Sequence, residues 1–337
     1  MNEMTTVTTA QDWASDQEVR WCPGCGDYAV LKAVQRTMPD LGVAREKTVF
    51  VSGIGCSSRF PYYMASYGFH TIHGRAPAFA TGIKLANPEL DVWIITGDGD
   101  ALSIGGNHTM HVLRRNLDCQ ILLFNNEIYG LTKGQYSPTS RVGTRSPSTP
   151  FGSVDRPVNP CAFALGSGGR FIARGIDVHK NLPDVLKAAH AHMGASFVEI
   201  FQNCVVYNDD VFAGFTERSV AADKQLWLKA GEKMLFANGA KGLALDTERL
   251  ALKVVDGDDP SVITHDPTNR GVAAMLILMP PDSFPVALGV IYENPAPTFE
   301  SAVREQNAAA ASGKTADLQA LVAKGQTWMV EKEPREL

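Results

Sequence analysis

Two runs of this chain, 91–96 (Asp-Val-Trp-Ile-Ile-Thr) and 119–124 (Cys-Gln-Ile-Leu-Leu-Phe), are apolar over consecutive positions and end at glycine or asparagine. A strand with one wet face alternates apolar and polar residues, whereas a strand buried on both faces does not. Shorter runs of the same kind fall at 48–52, 170–173 and 196–201. Between them lie stretches with helical spacing: 27–38 with Val30, Leu31 and Val34, then 76–85 stopped by Asn87-Pro88, then 103–116, 159–165 and 182–192. Strands buried on both faces and alternating with helices predict an α/β fold, a parallel sheet covered by helices on both faces. Ligands of such folds bind beyond the carboxyl ends of the strands, where this chain carries its glycine-rich turns.

The chain has 337 residues, 45% of them hydrophobic, enough for a sizeable core. Its net charge is −5 without a strong run of either sign, which points away from nucleic acid. No apolar stretch is long enough to span a bilayer, so no membrane partner is expected, and the first 20 residues show no apolar signal core. A cytoplasmic location follows as the expectation, and grouped cysteines there favour metal or redox chemistry over disulfides. Residues 1–18 read as a polar arm and 19–217 as the ligand-binding α/β domain, with 132–158 a long loop inside it. Residues 218–337 read as a C-terminal extension packing on the domain or on a partner, with a proline-rich stretch at 280–297 and alanines at 308–311. There is no internal repeat.

The turn Gly97-Asp98-Gly99-Asp100 follows one buried strand and Asn125-Asn126 follows the next. If the strands are neighbours, both turns open at one edge. Mg²⁺ takes oxygen ligands and commonly bridges one or two protein oxygens to phosphate. Asp98 offers a carboxylate, Asn126 an amide oxygen and Ile128 a backbone carbonyl. Gly97 and Gly99 let the backbone come close to a diphosphate.

Four of the six cysteines are grouped by context. Cys22 and Cys25 sit in Trp21-Cys22-Pro23-Gly24-Cys25-Gly26, Cys56 in Gly53-Ile54-Gly55-Cys56-Ser57-Ser58, and Cys204 in Gln202-Asn203-Cys204. Two close thiolates and two distant ones suit an iron–sulfur cluster, but four thiolates also suit a structural zinc, and a CxxC pair alone favours zinc. Cys119 in a strand and Cys161 in a helix read as small buried hydrophobes.

The run TGDGDALSIGGNH followed by NNEIYGLTKGQ resembles the thiamine-diphosphate motif of the β subunit of 2-oxoacid:ferredoxin oxidoreductases, as do WCPGCGDY, GIGCSSRFPYY and HTIHGRAPAFATGIKLANP. The likeness covers about residues 20–215; beyond them it is looser, chiefly around 284–290. The resemblance implies three cofactors: thiamine diphosphate, Mg²⁺ and one 4Fe-4S cluster. It implies that Cys22, Cys25, Cys56 and Cys204 hold the cluster, and that Asp98, Asn126 and the Ile128 carbonyl hold Mg²⁺. Contacts to thiamine diphosphate fall on Ile54, Gly55, Cys56, Ser57, His73, Gly99, Asp100, Gly130 and Leu131, with Gly97 beside them. The family often carries Lys or Arg at the position of Arg59, which is read as a contact to the 2-oxoacid carboxylate through a two-pronged guanidinium. His73 reads as a hydrogen-bonding partner of cofactor or substrate, His70 as packing, and Arg75 as half of a structural ion pair. Lys133 is a candidate for phosphate or substrate. His108 and His111 share a helix face without a third ligand. Trp13 and Trp21 are expected to shield the cluster.

The implied activity is oxidative decarboxylation of a 2-oxoacid with coenzyme A, electrons passing through the cluster to ferredoxin, or the reverse carboxylation. SSRFPYY and NNEIYGLTKGQ look most like the 2-oxoglutarate members, with pyruvate as the alternative substrate. The chain has no second domain for the pyrimidine end of the cofactor. An α subunit supplying the activating glutamate is therefore expected, in an αβ or (αβ)₂ assembly. Two rival classes are a non-redox thiamine-diphosphate subunit, which needs no cysteine set, and a zinc-stabilised binding module, which leaves Asp98 and Asn126 unexplained.

Overall fold

In the computed structural model, residues 8–313 and 315–330 are described. Eight strands form the main sheet: β1 (Thr48–Ser52), β2 (Tyr67–His70), β3 (Asp91–Gly97), β4 (Cys119–Asn125), β7 (Phe171–Ile176), β8 (Ala195–Phe201), β9 (Gln225–Leu228) and β13 (Val286–Glu293). Two short strands, β5 (Ile128–Tyr129) and β6 (Gln135–Tyr136), make a small ribbon, and β10 (Leu235–Phe236), β11 (Lys241–Asp246) and β12 (Ala251–Asp256) make a three-stranded antiparallel sheet. The main sheet runs in the order β2-β1-β3-β4-β8-β7-β13-β9. Its first six strands are mutually parallel, while β13 lies antiparallel to β7 and parallel to β9.

The expected α/β layering is present, and it rests on alternation within each strand. Val92, Ile94, Ile121 and Leu123 point to one core, together with side chains of helices α2 (Ala76–Ala86), α3 (Gly106–Arg115) and α4 (Pro160–Gly166). Trp93, Ile95, Leu122 and Phe124 point to the other, beneath α1 (Asp27–Leu41) and α5 (Leu182–Ala191). Each core contains more than twenty buried apolar side chains. At about 1.5–3 kcal/mol per buried large apolar side chain, either face alone is a major stabilising term.

Four elements differ from the sequence expectation. The 103–116 helix is split. A π-helical turn, Asp100–Ile104, precedes α3, and Gly105 between them lies so close to Gly74 that an added Cβ would come within 2.9 Å of its Cα. Such turns are frequent at functional sites. The stretch from 218 onward is not all appended, because β9 and β13 complete the main sheet. The described residues up to Glu300 form one compact unit, and those from Ser301 form another, with the helix Leu318–Val322 in the latter. The arm's residues 1–7 lie outside the described residues, while Trp13 is fully buried and its carbonyl accepts from Ala65 N.

Candidate active site

The sheet topology assembles the site. β1 leads outward to β2 and β3 leads the other way to β4, so the chain order reverses between β1 and β3, where crevices form in such sheets. The carboxyl ends of β1, β3, β4 and β8 lie side by side. They carry in turn the Cys56 loop, Asp98, Asn126 and Cys204.

Two cavities open there. The first, of about 530 Å³, is lined by Ile54, Gly55, Cys56, Ser57, His73, Gly97, Asp98, Gly99, Asp100, Asn126, Ile128, Gly130 and Leu131, together with Asp27, Phe124, Tyr129 and Thr132. Every residue expected at thiamine diphosphate or Mg²⁺ thus borders one space. The second, of about 800 Å³, is lined by Cys22, Cys25, Cys56 and Cys204, with Arg20, Trp21, Arg59, Lys133 and Tyr207 among their neighbours. Cys56, Asn126, Gly130 and Leu131 border both.

Asp98 is buried and its Oδ2 accepts from the hydroxyls of Ser137 and Thr139. Burial pushes its pKa up to about 6, against those hydroxyl bonds. Asn126 Oδ1 accepts from Ile128 N at 3.2 Å, and Asn126 Nδ2 donates to Gln202 Oε1 at 2.7 Å. Gln202 Nε2 in turn reaches Cys25 Sγ at 3.3 Å, tying the second turn to the cysteine loop. A carboxylate, an amide oxygen and a backbone carbonyl on one cavity wall form an oxygen donor set suited to Mg²⁺.

Asp100 borders the first cavity and also ties its rim together. Its Oδ1 accepts from Ile54 N at 3.1 Å and Gly74 N at 2.7 Å, and its Oδ2 from Thr96 Oγ1 at 2.7 Å. His73 Nδ1 lies 2.7 Å from Oδ1, close enough for an ion pair though not aligned as a hydrogen bond. The carboxylate therefore pins the Cys56 loop and the His73 turn to the end of β3. Gly53 is required there: a Cβ would lie 2.0 Å from Asp100 Oδ2.

The thiols share a cavity without meeting at a point. All four are free, and among the described residues no three His, Cys, Asp or Glu side chains converge as ligands of a single metal ion. A Cβ on Gly130 would lie 3.4 Å from Cys204 Sγ and 3.6 Å from Cys56 Sγ. Four thiols around one cavity are a donor set that a cluster or a single zinc can use. Burial, then the Asp27 carboxylate and the neighbouring thiols, push Cys56 up to about 12; burial and Asp27 also push Cys25 up. Trp21 covers them, its Nε1 donating to Cys56 O at 2.7 Å and its ring meeting Tyr28 and Tyr63 edge-on.

The other residues singled out in the sequence lie in several places. Arg59 borders the cysteine cavity, where its Nε donates to Tyr63 OH at 3.1 Å. Lys133 borders the same cavity. Arg75 donates to the carbonyls of Gly74 and Ile104 instead of forming the expected ion pair with a described residue. His70 lies exposed on the edge strand β2, with Nδ1 3.2 Å from Tyr62 OH. Trp21 lines the cysteine cavity and Trp13 does not, Trp13 belonging to the core cluster against which Cys25 and Cys56 pack. Cys119 and Cys161 are fully buried.

Sequence reasoning passed over several participants. Ser137 and Thr139 come from the 132–158 stretch read only as a long loop. Asp27 borders the first cavity almost completely buried, its Oδ2 without a hydrogen-bond partner. Burial, reinforced by Asp177, raises its pKa to about 7. The one signal for Asp27 was its position directly after the CxxCG run.

A family model described as the thiamine pyrophosphate enzyme C-terminal TPP binding domain matches residues 53–200. The 2-oxoglutarate oxidoreductase subunit KorB of Mycobacterium tuberculosis is 48% identical over 95% of this chain and 88% of its own length. The chain belongs to the β-subunit family of 2-oxoacid:ferredoxin oxidoreductases. Another family member, the β subunit of 2-oxoacid:ferredoxin oxidoreductase 1 of Aeropyrum pernix, is 50% identical over 58% of this chain and 62% of its own. Among solved structures, the 2-oxoglutarate:ferredoxin oxidoreductase of Magnetococcus marinus, with 2-oxoglutarate, coenzyme A and succinyl-CoA bound, superposes with a TM-score of 0.76 at 31% identity. That match covers 96% of this chain and 98% of the other. This family member is thus a subunit of a thiamine-diphosphate-dependent oxidoreductase, built on a mostly parallel α/β sheet.

Proposed function

We propose that this chain is the β subunit of a 2-oxoglutarate:ferredoxin oxidoreductase. The reaction would convert 2-oxoglutarate and coenzyme A to succinyl-CoA and CO₂, with two electrons leaving one at a time to two ferredoxins, or run in reverse. One observation carries the reading: the oxygen-donor cavity and the four-cysteine cavity share a wall. Thiamine diphosphate supplies a nucleophilic carbon that stabilises the carbanion left when CO₂ departs. The chain's own residues then have separate duties. Asp98, Asn126 and the Ile128 carbonyl would hold Mg²⁺ against the diphosphate. Asp100 would keep Ile54 and His73 at the rim, and Cys22, Cys25, Cys56 and Cys204 would hold a 4Fe-4S cluster. Arg59, a guanidinium three residues beyond Cys56, is assigned to a substrate carboxylate.

The assembly would be completed by an α subunit that brings the glutamate for the pyrimidine ring, giving αβ or (αβ)₂. No helix among the described residues is long and apolar enough to cross a membrane, and a cytoplasmic complex is the proposed setting. The test is co-expression with an α gene and anaerobic purification. Brown protein with equal iron and sulfide, and dye reduction with 2-oxoglutarate in preference to pyruvate, are expected. Colourless protein with one zinc would refute the redox reading, and a preference for pyruvate would refute the substrate.

A further inference from the structure

Resting on the Mg²⁺ site proposed above, the geometry points to Glu199 as a positioning residue: from inside the sheet it fixes the amide of Asn125 and so the turn that presents Asn126 and Ile128. Glu199 lies on β8, and Arg174 stands directly opposite on β7. Both are buried, and Arg174 Nε donates to Glu199 Oε2 at 2.8 Å. An ion pair in the middle of a doubly covered sheet is poor evidence of stability, since burying both charges costs about as much as the pairing returns. Its value here lies in direction. Cys161 Sγ also donates to Oε2, at 3.2 Å, which leaves Oε1 facing Asn125 Nδ2 at 2.8 Å.

A carboxylate held by an arginine only accepts hydrogen bonds. The Asn125 amide must therefore present its NH₂ to Glu199 and its oxygen to the other side. There Asn125 Oδ1 accepts from Glu127 N at 3.2 Å and lies 3.0 Å from Thr139 Oγ1. The next residue repeats the device, Asn126 Oδ1 accepting from Ile128 N. These two successive side-chain-to-backbone bonds close the turn. The turn is strained, because Glu127 sits at φ +55°, a left-handed conformation that a glutamate adopts only when its surroundings impose it. The Thr139 hydroxyl lies within reach of both Asn125 Oδ1 and Asp98 Oδ2, so it couples the Asn125 turn to the Asp98 carboxylate. None of these contacts touches the metal site from Glu199 itself; it acts through Asn125.

The orientation can be inverted by exchange. In Glu199→Gln, the new amide keeps its oxygen on Arg174 and Cys161 and turns its NH₂ toward Asn125. Asn125 then flips, and its NH₂ opposes the Glu127 N–H. Adding Asn125→Asp restores an acceptor on both sides: one oxygen takes the NH₂ of the introduced glutamine, the other takes Glu127 N. In the double variant formal charge is conserved.

The test uses the full chain co-expressed with its proposed α partner. The readout is the Mg²⁺ concentration at which half the thiamine diphosphate is retained on gel filtration, with iron content and the melting temperature of the cofactor-free protein alongside. E199Q is expected to raise that Mg²⁺ concentration by about 10- to 100-fold, as lost outer ligand support does, with iron content unchanged. N125D alone, with two facing carboxylates, is expected to fail in the same way, and N125D/E199Q to recover most of the loss. Should E199Q not fold, recovery of the double variant relative to N125D decides the matter. An E199Q protein with the wild-type Mg²⁺ requirement, or a double variant no better than its parents, overturns the positioning role and leaves a merely structural ion pair. Wild-type protein that shows no Mg²⁺-dependent retention overturns the proposed function, and this role with it.

Discussion

Replacing Asp100 with asparagine tests whether this carboxylate builds the site's frame or only borders the cofactor. The side chain is buried and takes hydrogen bonds from Ile54 N, Gly74 N and Thr96 Oγ1. Hydrogen bonds to a charged group contribute about 1.5–3 kcal/mol and those between neutral groups about 0.5–1.5 kcal/mol. The introduced amide keeps a neutral oxygen for Ile54 N and Gly74 N and puts an NH₂ where Thr96 Oγ1 donated, so two bonds weaken and the third must reverse; at roughly 1 kcal/mol each this is about 3 kcal/mol in all. At about 2–4 °C per kcal/mol for a large domain, the melting temperature of cofactor-free protein falls by on the order of 6–12 °C. The measurement is thermal unfolding by circular dichroism, paired with titration of thiamine diphosphate at fixed Mg²⁺. Both stability and cofactor affinity are expected to fall, because the loops bearing Ile54 and His73 lose one shared anchor. A variant with wild-type melting and weakened cofactor binding would mean that Asp100 serves the ligand directly, and the anchoring argument would be wrong.

Two further outcomes follow from other parts of the chain. His190 on α5 lies 3.5 Å from Asp91 and stacks on Trp93; the Asp91 bond raises its pKa above the usual 6.5, against the opposing effect of burial. A histidine so raised contributes stability that is full below pH 6.5 and lost as pH climbs through the folded-state value. The stability gap between wild type and His190→Gln, measured by urea unfolding, should be wider at about pH 5.5 than at about pH 8; an equal gap at both would contradict the assignment. Trp21→Phe keeps the ring cover and removes the hydrogen bond to Cys56 O. Faster bleaching of the proposed cluster in air is expected, and a wild-type bleaching rate would show that this bond does not protect it.

The parts of the fold that could be read from the sequence were those in which burial leaves a local mark. β1, β3, β4 and β8 are buried along their full length or nearly so, and their apolar runs stand out. β2 escaped notice because all four of its residues are exposed, an edge strand with no pattern to find. β13 was hidden by its proline-rich flanks, although Val286–Glu293 is an apolar run of the same kind as β4. Its pairing with β7 and β9 is a long-range fact that no window of sequence contains. The same division holds at the site. Asp98 and Asn126 announce themselves because each follows a strand. Ser137 and Thr139 act through hydroxyls from a loop whose composition resembles any other loop, and Asn125 acts through a partner 74 residues away.

One backbone position stands out in the wall between the two cavities. Gly130 follows the ribbon strand β5 and borders both spaces, with Cys56 Sγ and Cys204 Sγ close enough that a Cβ would touch both. An alanine methyl there would sit between thiols delivered by the ends of β1 and β8, in space that a cluster bound to them would need. The separation between the oxygen-donor site and the thiols is thus set by main chain rather than by side chains that swing. Cys56 differs from the other three cysteines. It lies on the loop that Asp100 anchors through Ile54 N, and it alone of the four borders both cavities. A change at Asp100 therefore acts on the cofactor rim and on one thiol together. The Asp100→Asn protein should lose iron under chelator faster than wild type, and iron loss at the wild-type rate would show that the two cavities are mechanically independent.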